Sequence, residues 1–129
     1  MRSIFYRWMK TLTERDITNF VSLYSNNSVI FTKINTKLIY NNPYNNGPPE
    51  EIFRGKIGSF RNFENTLFSN PGEFKIGDYN LSVSEKEKRI IFNYDFTFKN
   101  ENFKSDNIMM FSEDLKGWEI CYHQSILSK

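Results

Sequence analysis

The residues of this chain best suited to chemistry stand near its end, where Cys121, Tyr122, His123 and Gln124 are consecutive. His123 is the only histidine, and because an unperturbed imidazole titrates near neutrality it is a candidate general base. Cys121 is the only cysteine and a candidate nucleophile. Tyr122 and Gln124 offer polar groups that could orient a ligand or could hydrogen-bond each other in a filled core. These residue types do not form a complete catalytic set, so no reaction follows from them.

The composition argues against a metal site and against a bound cofactor. One histidine and dispersed carboxylates do not assemble a recognisable coordination set, and a single cysteine allows neither an internal disulfide nor a thiolate-based site. The Gly-Lys-Ile-Gly segment at 55–58 lacks the spacing and the lysine position of a phosphate-binding loop. We therefore expect no metal and no cofactor.

Charge and hydropathy make nucleic acid and membrane poor partners. The 17 basic residues exceed the 15 acidic ones by two, and they are scattered singly rather than grouped along a stripe. No apolar run approaches the roughly 20 residues that a membrane span needs. Arg7 and Lys10 interrupt the first segment before the apolar region of a secretory signal can form. The single cysteine suits a reducing compartment, so we expect a cytoplasmic protein.

Apolar spacing predicts two helices and a strand in the first quarter of the chain. A stripe with three- and four-residue spacing indicates a first amphipathic helix. Thr13 is the predicted N-cap of a second helix, with Asp16 at its third position, in a pattern that resembles a capping box. Residues 28–32 are β-branched and aromatic and are predicted to form a strand. The stripe of the first helix consists of Ile4, Phe5, Trp8, Met9 and Leu12.

The rest of the chain is predicted to be one helix followed by strands. Residues 33–50 are rich in Asn and in turn residues, which predicts a long loop insertion around one short strand at 38–40. Helical spacing resumes over 50–68. Strands follow at 73–83, 89–98, 103–111 and 118–126, joined by short polar links that indicate antiparallel hairpins. We therefore expect a single α+β domain over 1–129.

Several segments together resemble the nuclear transport factor 2-like, or SnoaL-like, superfamily of cone-shaped α+β domains. They are Trp8, the helix and Val-x-Phe strand within 14–31, the Gly-Lys-Ile-Gly-Ser-Phe entry at 55–60, and the closing Gly-Trp-Glu-Ile-Cys-Tyr-His-Gln at 117–124. The resemblance implies three N-terminal helices packed on a strongly curved antiparallel sheet around an internal pocket. The superfamily includes isomerases, cyclases and hydrolases beside non-catalytic dimeric adaptors, so it does not choose a chemistry.

The isomerase-like pattern of the superfamily is only partly present. Its tyrosine donor would stand near Trp8 and its carboxylate base near Thr32, and neither substitute can do that work, since an indole only donates and a hydroxyl is a poor base. Asp106 falls where the pattern keeps a pocket acid. We expect Asp106 to be the proton donor or acceptor of any reaction, with Tyr122 as its helper, or else to face solvent from its strand.

The resemblance also assigns the faces of the last strands. Alternation in 89–98 places the rings of Phe92 and Tyr94 toward the helices. The family's closing-strand pattern implies that Tyr122 points inward, and that His123 is a surface or interface histidine and Cys121 a small packing residue on the outer face. The predicted inward set around the catalytic pair Asp106 and Tyr122 consists of ligand-binding residues Trp8, Phe20, Phe60, Phe92, Tyr94, Met110, Trp118 and Gln124.

Two functions follow as hypotheses. The first is a small-molecule-binding domain for a mostly apolar ligand with one or two polar groups, and it leaves catalysis open. The alternative is a non-catalytic dimeric adaptor whose aromatic core is packed solid. A cavity of several hundred cubic ångströms beside Asp106 would favour the first, and a core filled by its own rings the second. An apolar patch on the outer sheet face predicts a two-fold homodimer, through Ile91, Met109, Phe111 and Cys121.

Overall fold

The computed structural model describes residues 1–34, 50–65, 74–98 and 100–128, and these form an α+β domain. Most of the predicted Asn-rich loop at 33–50, with its short strand at 38–40, lies outside the described residues. The described elements are, in chain order, α1 (Arg2–Glu14), α2 (Ile17–Ser22), β1 (Tyr24–Ile34), β2 (Glu50–Arg54), α3 (Gly55–Asn65), β3 (Phe74–Ser84), β4 (Arg89–Phe98), β5 (Glu101–Asp114) and β6 (Gly117–Ser128).

The first helix is the one its apolar spacing predicts. Ile4, Phe5, Trp8 and Leu12 are all buried on one stripe of α1. The residue that follows the helix, Arg15, has a left-handed backbone with φ 57°. The N–H of the next residue, Asp16, donates a hydrogen bond to the carbonyl oxygen of Thr11 at 2.9 Å. This tight end sends the chain directly into α2.

The second helix begins three residues later than the sequence predicts. Asp16, not Thr13, is its N-cap, and the Asp16 carboxylate accepts a hydrogen bond from the backbone N–H of Asn19 at 3.1 Å. That bond lowers the pKa of the Asp16 carboxyl. Thr13 belongs to α1, where its hydroxyl donates to the carbonyl oxygen of Met9 at 3.1 Å. Either residue type can cap a helix, and the left-handed turn at Arg15 decides between them.

The predicted helix over 50–68 is wrong in its first five residues, which form the strand β2. Ile52 pairs with Phe31 and Phe53 with Ile30 of β1, so sheet pairing overrides the helical spacing there. Gly55 then turns the chain with φ 68°, and a Cβ at that position would lie 3.0 Å from the carbonyl oxygen of Asn26. Helix α3 begins at this glycine.

The six strands form one curved, open sheet in the order β2-β1-β6-β5-β4-β3. Every pairing is antiparallel except that of β1 with β6, which is parallel. The predicted α+β class is therefore correct, while the expectation of a purely antiparallel sheet is wrong. The third helix, α3, follows β1, as the predicted order of the helix at 50–68 after the strand at 28–32 has it. The predicted strand at 89–98 coincides with β4.

Alternation assigns the two faces of the sheet, with one interruption. The residues of β4 predicted to face the helices are buried, and in β5 the odd-numbered residues from Phe103 to Phe111 are buried while Lys104 and Asp106 are exposed. In β6 the register shifts between Met110 and Phe111 of its neighbour, because Met110 pairs with Tyr122 and Phe111 with Ile120. Cys121 is thus the extra residue of a β-bulge, which reverses the facing of every β6 residue after it.

Candidate functional site

The bulge brings His123 into the core, which corrects the expectation that it lies on the outer face. Ile120 is buried before the bulge, and His123 is 3% exposed after it. His123 pairs with Ile30 of β1 on one side and with Met109 of β5 on the other, and both neighbours are fully buried. The one histidine of the chain therefore occupies the middle of the helix-covered face.

Both nitrogens of the His123 ring are occupied by buried side chains. Nδ1 lies 2.8 Å from the hydroxyl of Tyr24, and Nε2 lies 2.8 Å from Oδ1 of Asn107. Asn107 directs its Nδ2 to the hydroxyl of Ser105 at 2.9 Å, so its Oδ1 can only accept. The Nε2 atom of His123 therefore carries the proton, as the hydrogen-bond network assigns it, and the Tyr24 hydroxyl donates to Nδ1.

The chain of hydrogen bonds continues at both ends. The indole N–H of Trp8 donates to the Tyr24 hydroxyl oxygen at 3.1 Å. At the other end the hydroxyls of Ser105 and Ser125 are 3.4 Å apart, and Ser105 also bonds to the hydroxyl of Tyr94. Burial nevertheless raises the pKa of Tyr94 to about 12. We call this set the polar chain; it runs through Trp8, Tyr24, His123, Asn107, Ser105, Tyr94 and Ser125.

Aromatic rings surround the polar chain. The rings of Trp8 and His123 meet edge to face with centroids 5.4 Å apart, and Phe92 contacts Trp8 at 5.2 Å in the same arrangement. Phe5 packs on Phe92 at 4.8 Å. Such separations are those of rings in contact, so these side chains pack directly on one another between α1 and the sheet.

The electrostatics of this core oppose general-base chemistry at His123. Burial lowers the pKa of His123 to about 3, so the imidazole is neutral and only weakly basic. Burial also raises the pKa of the Tyr24 hydroxyl well above its ordinary value. Because both ring nitrogens are bonded to protein groups, His123 has no free atom for a substrate. The arrangement can hold the core in one geometry, but it does not offer an acid and a base to a reaction.

Four of the predicted ligand-binding residues lie where the sequence places them, on the covered side. Trp8, Phe20, Phe92 and Tyr94 are at most 3% exposed. Trp118 is half-buried against the core, and the ammonium of Lys88 lies 5.7 Å from the centroid of its ring. The rings of Trp8, Phe92 and Tyr94 contact one another, with centroids 5.2 to 6.3 Å apart.

The other predicted site residues do not reach that side. Asp106 is exposed on the outer face, Met110 is 38% exposed there, and Phe60 is 43% exposed on α3. Tyr122 and Gln124 also lie on the outer face, because both follow the bulge. The hydroxyl of Tyr122 donates to Oε1 of Gln124 at 3.1 Å, which is the alternative pairing the sequence left open, though outside the core. The catalytic pair Asp106 and Tyr122 thus has no access to the aromatic core.

One signal in the sequence could have found the true faces. Phe103, Asn107 and Phe111 have odd numbers in β5 and therefore share one face of the strand. Lys104 and Asp106 have even numbers and share the other face. Rings and charges therefore divide β5 correctly without any reference to the closing strand. Asn107 and Ser105, the partners that sequence reasoning missed, follow from that division.

The residues predicted for the outer patch are likewise divided. Ile91 is 42% exposed on the outer face as expected, and Cys121 is half-buried at the bulge, where its thiol lies 3.4 Å from the carbonyl oxygen of Met110. Burial raises the pKa of the Cys121 thiol, which makes it a poor nucleophile. Met109 and Phe111 are buried in the core, so the expectation that they lie on the outer face is wrong.

The outer face carries two registered rows that the sequence did not predict. The first joins Ile91 to Ile108, Gln124, Phe31 and Ile52 across five strands. The second joins Arg89 to Met110, Tyr122, Val29 and Arg54 in the same way. At about 4.8 Å between strands each row is roughly 19 Å long. We call these ten residues the outer rows; their centres are apolar or uncharged, and an arginine ends the second row on both sides.

Two clefts whose whole lining the structure describes are of note, and Asp106 lines neither of them. One holds about 210 Å³ between α1 and α2, lined by Arg7, Lys10, Thr11, Glu14, Asp16, Asn19, Ser22 and Leu23. The other holds about 400 Å³ beside β2 and α3, lined by Glu51, Ile52, Phe53, Arg54, Ile57, Gly58 and Arg61.

Within the part of the chain that the structure describes, no three His, Cys, Asp or Glu side chains form a metal-binding group. No described helix is both long enough and apolar enough to cross a bilayer.

The fold, but not the sequence, is similar to that of known proteins. No family model matches the chain, and no curated protein matches it. A nuclear transport factor 2-like protein of unknown function from Pseudomonas putida superimposes with a TM-score of 0.65 at 13% identity, over 97% of this chain and 82% of that one. A ketosteroid isomerase-like protein from Erwinia carotovora gives 0.63 at 10% identity, over 98% and 92%. A cystatin-like domain from Nostoc punctiforme gives 0.70 at 7% identity, over 97% and 73%. At these identities the likeness shows the fold alone.

Proposed function

We propose that this domain, which has the nuclear transport factor 2-like fold, is a non-catalytic interaction module that forms a two-fold homodimer through its outer rows. The proposal takes the second of the two functions that the sequence left open. It replaces the buried Met109 and Phe111 of the expected interface with Ile108, Met110 and Tyr122.

The observation that carries the non-catalytic part is the polar chain. Both His123 nitrogens, the Tyr24 hydroxyl and the Trp8 indole are bonded to one another or to Asn107, within a layer of rings in contact. A reactive site needs at least one polar group that is free to meet its substrate at hydrogen-bond distance. In this chain those groups bond to each other, and the carboxylate expected beside them, Asp106, is on the other face.

The outer rows support the homodimer. Ile91 and Ile52, at the two ends of the first row, are 42% and 53% exposed, and Met110, in the second row of the same sheet face, is 38% exposed. Exposed apolar side chains gathered in this way usually mark an interface. A two-fold axis through the middle of the rows would set each row against its own copy, as isologous interfaces do. The terminal arginines would then lie at the rim, where charge is tolerated.

Sedimentation velocity at tens of micromolar tests the dimer. We expect a dimer for the natural chain and a monomer for the double variant Ile91→Lys, Met110→Lys, because four ammonium groups would be buried per interface. The matched control is Leu115→Lys, which adds the same charge at a fully exposed tip between β5 and β6 and should leave the dimer intact. A natural chain that sediments as a monomer, or a double variant that remains dimeric, contradicts the proposal.

A second candidate is a domain that binds a small apolar molecule among the rings. It is favoured by one observation: several polar groups stand within an aromatic layer, which is how ligand sites are built. The ketosteroid isomerase-like neighbours share the fold in which such a molecule would be held. Native mass spectrometry of protein purified from its own source separates the candidates. A co-purifying apolar molecule that quenches the fluorescence of Trp8 in a Trp118→Phe variant would favour the second candidate, and its absence the interaction module.

A further inference from the structure

The larger cleft is a groove between an edge strand and a helix. Four consecutive residues of β2, Glu51–Arg54 in the sequence, line one side of it, and Ile57, Gly58 and Arg61 of α3 line the other. Consecutive residues of a strand point alternately to its two faces, so a wall that includes all four must include the strand's edge. We call this cleft the β2–α3 groove; its volume is about 400 Å³.

The edge of β2 offers main-chain hydrogen bonds. Among the described strands β2 pairs with β1 alone and stands at the end of the sheet order. In an antiparallel pair only alternate residues exchange both hydrogen bonds with the partner, so the remaining N–H and C=O groups of β2 point away from β1. Main-chain groups that point outward from the edge of a sheet are a template for a further strand.

The side chains of the groove combine apolar surface with positive charge. Ile52 is 53% and Ile57 is 71% exposed, which is unusual for isoleucine in a folded domain. Arg54 and Arg61 are both exposed, and neither makes an ion pair with any residue that the structure describes. Glu51 is the one carboxylate in the lining, so two guanidinium groups face a single negative charge. The groove thus suits an occupant that is apolar in part and acidic in part.

We propose that the β2–α3 groove binds an extended acidic segment of a partner protein by strand addition to β2. The main chain of the segment bonds to the outward edge of β2, side chains on one face of the segment meet Ile52 and Arg54, and side chains on its other face meet Ile57 and Arg61 of α3. Each face of the segment therefore carries an apolar residue and a carboxylate. Five residues of β2 span roughly 17 Å, which matches about five residues of an extended peptide. The inference rests on the proposed role as an interaction module and names the kind of partner.

The test uses a fluorescein-labelled octapeptide made of two copies of Val-Val-Glu-Glu as the probe, because each face of this peptide carries valine and glutamate in turn when it is extended. Fluorescence anisotropy at low salt measures its affinity, and amide shifts in NMR spectra locate it. We expect binding that weakens at least tenfold in the variant Arg61→Glu, because a charge-reversed side chain repels the glutamates. The matched control Arg2→Glu reverses an exposed arginine on α1 and should leave the affinity unchanged.

A second probe separates strand addition from simple charge attraction. Two further octapeptides of the same sequence are N-methylated, one at its odd-numbered amides and one at its even-numbered amides, and both keep their carboxylates. In an added strand only one of these two sets of N–H groups faces the strand edge, so one of the two peptides loses the edge bonds. We expect at least one of these two N-methylated peptides to lose its binding. Equal binding by the two N-methylated peptides, equal binding by the Arg61→Glu variant, no binding by the natural chain, or amide shifts confined to β4, β5 and β6 would each overturn the inference.

The groove shares Ile52 and Arg54 with the outer rows, where these residues end the rows at β2 and would lie at the rim of the dimer. The two proposals nevertheless fail separately. Arg61 lies on α3 away from the outer rows, so the Arg61→Glu variant should still sediment as the natural chain does. The double variant Ile91→Lys, Met110→Lys should still bind the octapeptide, since neither residue lines the groove. A natural chain that is monomeric yet binds the peptide at 51–54 would contradict the proposed dimer and leave the groove supported. A dimer that does not bind the peptide would do the reverse.

Discussion

The hydroxyl of Tyr24 and Nδ1 of His123 are 2.8 Å apart although 99 residues separate them in the chain. Tyr24 is the first residue of β1 and His123 lies in β6, and these are the two strands that pair in parallel. The Trp8 indole adds α1 to the same hydrogen-bond chain. A single buried contact thus joins the beginning and the end of the fold. Its strength is the basis of the first two predictions.

We expect Tyr24→Phe to destabilise the domain by about 2–4 kcal/mol, since it removes one hydroxyl and leaves both the Trp8 N–H and the bare His123 Nδ1 buried without a partner. Tyr122→Phe is the matched control. It removes a hydroxyl that is bonded to Gln124 at the partly exposed outer face, and we expect a change within about 0.5 kcal/mol. The free energies of unfolding in urea measure both.

Equal losses for the two tyrosine variants would contradict the hydrogen-bond assignment around His123. The double variant Tyr24→Phe, Asn107→Ala completes the comparison, because it removes both partners of the imidazole. If the two groups act through His123, their effects should not add, and the deviation from additivity should be about 0.5–3 kcal/mol.

We expect the stability of the domain to fall as the pH decreases from 6.5. Burial lowers the pKa of folded His123 to about 3, while the unfolded chain keeps the ordinary value of 6.5. Between these values the unfolded state binds a proton that the folded state does not, so the free energy of unfolding rises with pH by up to about 1.4 kcal/mol per unit. The contribution of His123 is complete above pH 6.5 and is lost progressively below it.

The variant His123→Gln is the control for the pH dependence. The urea midpoint of this variant should change less between pH 7 and pH 4.5 than that of the natural chain, whatever the stability of the variant at pH 7. This window excludes Asp16, whose lowered pKa contributes stability that is lost only below its ordinary value of 3.8. An unchanged slope in the variant would show that His123 does not titrate as its burial requires.

The parts of the fold that the sequence predicts are those with strong periodicity. The Trp8 stripe of α1 and the Phe92 and Tyr94 face of β4 have buried and exposed residues where alternation places them. The face of β6 could not be read in this way, because the bulge at Cys121 inserts one residue into the count. No local feature of the sequence marks that bulge, since the cysteine and its neighbours suit a regular strand equally well.

The polar chain was missed for the same reason. With His123 assigned to the outer face, Asn107 and Tyr24 had no buried partner to bond, and Tyr122 and Gln124 took their place in the expected pocket. The strand β2 failed differently: the Ile52 and Phe53 pair fits a helix or a strand, and only the distant pairing with β1 decides. Long-range pairing is not contained in any short window of sequence.

We expect Gly58→Ala to destabilise the domain by about 1–3 kcal/mol. A Cβ at Gly58 would lie 2.7 Å from the backbone carbonyl carbon of Phe53, and backbone at that distance cannot give way without moving α3 from β2. Gly77→Ala is the matched control, since its nearest atom, the carbonyl oxygen of Asp95, is 3.4 Å away. A thermal or urea midpoint for Gly58→Ala as high as that of Gly77→Ala would contradict the close contact.

The last prediction concerns Arg15, which joins the end of α1 to β3. Its guanidinium donates to the carbonyl oxygen of Leu12 and, at 2.8 Å, to that of Phe74, and it lies 5.3 Å from the centroid of the Phe74 ring. We expect Arg15→Lys to cost about 1–2 kcal/mol, because one ammonium cannot reach both carbonyls in the fork geometry that a guanidinium provides. Arg2→Lys, at an exposed site on α1, should be neutral within about 0.5 kcal/mol. If Arg15→Lys unfolds at the same urea concentration as the natural chain, charge alone accounts for the role of Arg15 and the two carbonyl bonds do not contribute.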